Sequence, residues 1–132
     1  DYIICDAPAG VGRGMHLALA GADKGIIVAT PDYVCVRAAF IASDEMIENG
    51  ISDIRLIVNR AVKKDIKKKR LLNIDSVIDS TAVRLIGVVP EDPKIRFGAM
   101  GSTICKKGQV SYPAFVNIAK RLCGESVPLS FA

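Results

Sequence analysis

The amino-acid sequence predicts an α/β fold built on a partial, doubly wound and mostly parallel sheet. Three observations carry this expectation. Short apolar runs rich in β-branched residues recur along the chain. They are continuous rather than alternating, the pattern of strands covered on both faces. Helix-forming stretches separate them, and strand–helix alternation at this spacing predicts βαβ units with right-handed crossovers.

In chain order, Tyr2-Ile3-Ile4-Cys5, bounded by acids, is expected as the first strand. Residues 14–22, rich in Ala, Leu and Met, read as a helix, and Ile26-Ile27-Val28-Ala29 as the second strand. A second helix is expected over residues 34–48, with an apolar stripe at 36, 39, 40, 46 and 47 that Ser43 interrupts. Asn49-Gly50 supplies its stop. Ile54-Arg55-Leu56-Ile57-Val58 and Leu85-Ile86-Gly87-Val88-Val89 are the third and fourth strands. Between them lies a shorter helix at 75–82, with Asp75 or Ser76 as its cap. A last helix at 112–123 stops at Gly124. Four strands make half of a doubly wound sheet, and no helix precedes the first. The α/β domain over 1–132 is therefore expected to be incomplete.

Composition excludes several classes. The 132 residues fit one domain, and 50% hydrophobic with 24% charged residues is the balance of a globular chain. No apolar run approaches a membrane span. The chain opens without an initiator Met or a basic stretch, so no signal peptide is expected, and it reads as a segment entered within a longer protein. The net charge of +4 is local, because six of the 18 basic residues fall within residues 63–70. Such a run reads as a solvated loop or helix face, and it also permits binding to nucleic acid or an acidic membrane. Cys5, Cys35, Cys105 and Cys123 form no C-x-x-C pair. Buried, reduced thiols of a cytosolic protein are expected, rather than zinc or an iron–sulfur cluster.

Ligands of open α/β sheets bind at the carboxyl ends of the strands. The four expected tips are Asp6-Ala7-Pro8-Ala9-Gly10, Thr30-Pro31-Asp32, Asn59-Arg60 and Pro90-Glu91-Asp92. An acid directly after an apolar strand is the Walker B arrangement, in which a carboxylate stands near Mg²⁺ through water. The Pro-Ala-Gly next to it sharpens the signal, since Gly10 lets a backbone N–H approach a γ-phosphate with no Cβ in the way. Read alone, Asn59-Arg60 is a polar strand exit, and Asp92 a cap for the next helix.

In these motifs the chain resembles the MinD/ParA family of ATPases, of the P-loop NTPase type. Asp1 to Gly10 is similar to that family's Walker B and switch II segment. Gly21-Ala22-Asp23, Ile26 to Pro31 and Val36-Arg37 resemble its next strand and helix. Val58-Asn59-Arg60 and Gly87-Val88-Val89-Pro90-Glu91-Asp92 resemble its two nucleobase segments, and residues 115–128 the end of its domain. The resemblance implies a C-terminal portion of an ATP-binding, ATP-hydrolysing dimerisation switch that positions the division site or other cargo.

By that resemblance Asp6 organises the Mg²⁺ water shell and Gly10 senses the γ-phosphate. Asn59 bonds the adenine edge, Arg60 lies against base or ribose, and Pro90, Glu91 and Asp92 form the loop over the purine, largely through backbone. ATP or ADP with Mg²⁺ is the implied cofactor, and the implied partners are a second copy and regulatory proteins. Membrane contact would come through a tail beyond residues 128–132, giving a cytoplasmic protein peripheral to the inner membrane face. Association with DNA rests on residues 63–70. A non-enzymatic binding module is the competing class.

One departure is large. The family's phosphate-binding loop is absent, for there is no Gly-Lys-[Ser/Thr] anywhere. Gly10-Val11-Gly12-Arg13-Gly14 matches neither the P-loop nor the G-x-G-x-x-G template. This chain alone is therefore not expected to hydrolyse ATP. In that class the phosphate-loop strand lies between the Walker B strand and the strand at 26–29. Its absence predicts that these two strands pair directly, that the chain self-associates through the exposed edges, or that it occurs as part of a larger protein. His16, the single histidine, is read as a helix-face residue.

Overall fold

A computed structural model of the protein describes residues 1–98 and 105–131. The apolar runs form three parallel strands, β1 (Lys24–Ala29), β2 (Asp53–Ala61) and β3 (Arg84–Pro90), in the order β1-β2-β3. Among the described residues six helices flank them: α1 (Arg13–Leu19), α2 (Tyr33–Glu48), α3 (Lys63–Lys67), α4 (Ile74–Thr81), α5 (Pro93–Gly98) and α6 (Tyr112–Leu122).

Helices cover both faces of the sheet at β3, but β1 departs from the expected two-sided cover. Its residues alternate between buried and exposed, with Ile26 and Val28 open because no described helix packs on that face. On one face Ile27, Ala29, Leu56, Val58 and Val88 pack with Val36 and Ala39 of α2 and Val77 of α4. On the other, Ile86 and Val89 meet Ile118 of α6. Gly87 sets that approach, because a Cβ there would stand 2.3 Å from Ile118 Cγ1. Met15 and Leu19 join α1 to the end of α2 through Ile51.

Several expectations change on contact with the structure. Tyr2-Ile3-Ile4-Cys5 is not a strand, and residues 1–8 carry no regular secondary structure. Ile3 and Ile4 are 94% and 87% exposed. The Tyr2 hydroxyl donates to Leu122 O at 3.5 Å, but a segment without a paired strand has no ladder for its backbone. The expected direct pairing of this segment with β1 does not form, and the thiols expected buried are not: Cys5 and Cys123 are exposed, Cys35 and Cys105 half-buried.

Ser43 does not interrupt the α2 stripe. It is buried, and its hydroxyl donates 2.7 Å to the Phe40 carbonyl, so its polarity is satisfied within the helix. Phe40 and Ile47, expected on the stripe, are exposed instead. The cap of α4 is Asn73, whose side chain accepts from Ser76 N at 2.7 Å, in place of Asp75 or Ser76. The cap must lie outside the helix and three residues before the N–H it satisfies, which only Asn73 does. The basic run folds partly as α3. No described helix is long and apolar enough to cross a membrane.

Candidate functional site

Parallel strands bring their carboxyl ends to one side, and here three tips meet there rather than four. The β1 tip is built around Asp32, the N-cap of α2. Its carboxylate accepts from Cys35 N at 3.0 Å and from the Thr30 hydroxyl. Those two bonds, led by the Thr30 hydroxyl, hold it below the usual carboxylate range against an opposing effect of burial. Pro31 between them is fully buried, and its carbonyl accepts from Leu72 N at 2.8 Å, tying this tip to the segment ahead of α4.

The β2 tip is irregular. Val58 pairs with Val88 and Ala61 with Pro90, so Asn59 and Arg60 together stand opposite one residue of β3. That extra residue is a β-bulge, a device that re-aims side chains and breaks pairing near functional sites. Arg60 takes the left-handed conformation, with φ 56°. A non-glycine residue there is strained unless its surroundings hold it. Two bonds hold it here. Arg60 N donates to Asn59 Oδ1 at 2.9 Å, and Arg60 Nε donates to Glu91 Oε2 at 2.7 Å. The hydrogen bond and charge of Glu91 raise the guanidinium further above its ordinary range.

The β3 tip is fixed by Asp92. Its carboxylate is buried and accepts from Ser111 Oγ at 2.8 Å, Ser111 N at 3.2 Å and Lys94 N at 2.9 Å. Ser111 and the N–H groups hold it ionised, the Ser111 hydroxyl contributing most. The expected cap of the following helix is thus present in α5. A second bond, to the residue that precedes α6, had no local sequence signal, because nineteen positions separate Asp92 from Ser111. Glu91 N donates to Ala61 O at 3.1 Å and closes the last rung between the two tips.

The structure therefore joins Asn59, Arg60, Pro90, Glu91 and Asp92 into one rim. Asp6 and Gly10 lie on an exposed, irregular segment. Among the described residues, Asp6 makes no side-chain hydrogen bond or ion pair. Gly10 has φ 90° and open space where a Cβ would stand.

The rim's donor set suits a purine. Asn59 Oδ1 already accepts from Arg60 N and keeps a second lone pair, while no described residue partners its Nδ2. An adenine edge needs one donor and one acceptor side by side, which one amide supplies. The Asp92 carboxylate is saturated by the protein, leaving only main-chain groups at that position. For Mg²⁺, no cluster of three His, Cys, Asp or Glu occurs among the described residues. A single exposed carboxylate at Asp6 suits a Mg²⁺ that keeps its water and binds phosphate oxygens, not a protein cage. His16 lies on a helix face as expected, 3.2 Å from Glu45 Oε1.

The chain matches no family model. It is 40% identical over 134 residues to the septum site-determining protein MinD of Bacillus subtilis, and 37% identical over 131 residues to that of Synechocystis. The alignments take in 98% and 97% of this chain and 49% of each relative. Among solved structures it superposes on the MinD cell division protein of Aquifex aeolicus with a TM-score of 0.88 at 30% identity, covering 95% of this chain and 54% of that one. The Aquifex MinC:MinD complex gives 0.85 at 30% identity, covering 96% of this chain and 53% of that one. MinD of Pyrococcus horikoshii complexed with Mg-ADP gives 0.77 at 25% identity, covering 89% of this chain and 48% of that one. The chain thus spans about half the length of the relatives it matches. Along nearly all of its residues, in sequence and in fold, it is MinD-like.

Proposed function

We propose that this chain is the base-reading portion of a MinD-type, ATP-dependent switch that positions the division site, corresponding to the C-terminal part of such proteins. The β2 bulge is the observation that carries the reading. Strain at Arg60 is maintained by Asn59 and Glu91, and this arrangement keeps an amide nitrogen that no described residue partners at the carboxyl edge of a parallel sheet, where such folds bind ligands. The Mg-ADP bound by the Pyrococcus relative agrees with that chemistry.

Within this reading Asn59 donates to and accepts from the adenine edge. Arg60 lies against the base or ribose, held by Glu91. Pro90 and the main chain of Asp92 close the purine loop, with Ser111 keeping that loop in place. Asp6 orients Mg²⁺-bound water and Gly10 admits a γ-phosphate to its N–H. When bound, Mg²⁺ neutralises phosphate charge. Lysines of a phosphate-binding loop are lacking in this sequence, so residues 1–132 alone bind poorly and do not turn over. The partners proposed are a second copy in the ATP state and a regulator of the kind that MinC is to the Aquifex protein. The proposed location is cytoplasmic, peripheral to the inner face of the membrane.

The test is nucleotide binding in a protein that carries this sequence behind a phosphate-binding loop. Asn59→Ala should weaken ATP binding about tenfold, the value of one well-placed hydrogen bond, and narrow the preference for ATP over GTP. Unchanged affinity and unchanged preference would overturn the assignment. Residues 1–132 by themselves should show no ATPase above background. Turnover that disappears in Asp6→Ala would refute that.

A further inference from the structure

Residues 127–131 are fastened to the sheet by one arginine and one aromatic ring. At the end of α6, Gly124 takes φ 90° and reverses the chain. Arg121 then grips the returning segment. Its Nε donates to Val127 O at 2.9 Å and its Nη2 to Pro128 O at 2.5 Å. Its Nη1 donates to Ile86 O of β3 at 2.8 Å. One guanidinium thus uses its fork to fasten three carbonyls, two of the tail and one of the edge strand.

From there the tail passes from the α6 face of the sheet to the α4 face. Leu129, Ser130 and Phe131 line a cleft of about 160 Å³ with Ile74, Leu85 and Val88. Phe131 packs on the main core, and its ring centroid lies 5.5 Å from Lys63 Nζ. Lys63 opens α3, three residues after Arg60. Phe131 therefore meets the residue that opens α3, at the corner into which the β2 bulge leads.

We propose that residues 127–131 are a strap that holds the β2–α3 corner, with Arg121 and Phe131 as positioning residues for the Asn59–Arg60 bulge. The bulge stores backbone strain and has few ties of its own, namely Glu91 and the Asn59 side chain. A fixed Lys63 shortens the segment over which that strain can relax. The contact between ring and ammonium is modest, so its loss loosens the corner without unfolding the sheet. Coupling of this kind is reciprocal. A ligand that orders the bulge favours the docked strap, and a docked strap improves the bulge for that ligand. This second consequence rests on the adenine reading; the positioning role does not.

The experiment is amide hydrogen exchange on a protein that carries this sequence behind a phosphate-binding loop, without nucleotide, with trypsin cleavage at the lysines of 63–70 as a second readout. In Phe131→Ala, exchange over residues 59–67 should rise about tenfold while β1 and α2 keep their protection. Cleavage after Lys63 and Lys64 should accelerate in parallel. Phe131→Tyr, which keeps the ring, should restore both. Arg121→Lys keeps the charge but loses the fork, and should show the same local loosening. Unchanged exchange at 59–67 would overturn the proposal, as would a uniform rise across the sheet. Failure of Asn59→Ala to alter nucleotide binding would sink the adenine reading and leave these results unaffected.

Discussion

Arg60 and Asp32 show how single residues at strand tips reconcile local cost with position. Arg60 occupies a conformation that favours glycine, yet glycine could not reach Glu91. Asp32 combines helix capping with an ionised state favoured by its neighbours. Its carboxyl pKa in the fold lies below the ordinary 3.8, so its stabilising effect is complete above that pH. It is lost as pH falls through the lower, folded value. Asp92 shifts in the same direction and adds to the same acid limb. Replacing Asp32 by Asn keeps an oxygen for Cys35 N but removes the titration. Thermal melts from pH 6 down to 2 should therefore show a shallower acid loss in Asp32→Asn than in the parent. Parallel curves would show that Asp32 does not contribute to the acid limb.

At the scale of elements, helix ends and helix–sheet seams decide more than propensity does. The C-cap of α4 is Ala82, exposed, at φ 53°. Glycine adopts that conformation without a Cβ penalty, so Ala82→Gly should raise stability by about 0.5–1 kcal/mol. Denaturant midpoints measure this, and a loss in place of a gain would count against the cap geometry. The seam between β3 and α6 predicts the opposite sign. Ile118 is buried and lies where a Cβ of residue 87 would stand. Gly87→Ala should cost about 1–3 kcal/mol through overpacking. Pairing it with Ile118→Val, which frees space, should recover part of that loss. Additive destabilisation of the two substitutions would mean that they do not share this contact.

At the scale of the molecule, the sheet is finished on one side and open on the other. Arg121 and the strap occupy the outer side of β3. β1 is the opposite edge, and among the described residues no strand lies beyond it. Its residues Ile26 and Val28 point away from α2 and are exposed, as are Ile3 and Ile4 of the irregular segment. Unpaired edge groups beside apolar side chains template pairing with another chain. Residues 1–132 should therefore self-associate in solution with a concentration dependence visible by light scattering. Val28→Lys, which places a charge on the edge strand, should shift the population toward monomer. A parent chain that stays monomeric at all accessible concentrations contradicts this.

What the sequence determined by itself was whatever rests on short-range pattern. Continuous β-branched runs mark β1, β2 and β3, and Asn49-Gly50 and Gly124 mark helix ends, because strand burial and turn conformation are properties of a few neighbouring residues. The polar residues at the β2 and β3 tips were legible for the same reason, since strand exits are local. Tertiary structure alone decided the rest. Tyr2–Cys5 has a strand's composition but no pairing strand among the described residues, and a strand exists only with a ladder. Ser43 looked like a break in a stripe until its hydroxyl found the Phe40 carbonyl. The bulge at Asn59–Arg60 arises from register against β3, a relation between segments that neither segment encodes alone. Asp92 meets Ser111, and Phe131 meets Lys63, across separations that no spacing rule spans. Those contacts appear only when folding has brought distant residues within hydrogen-bonding or packing distance.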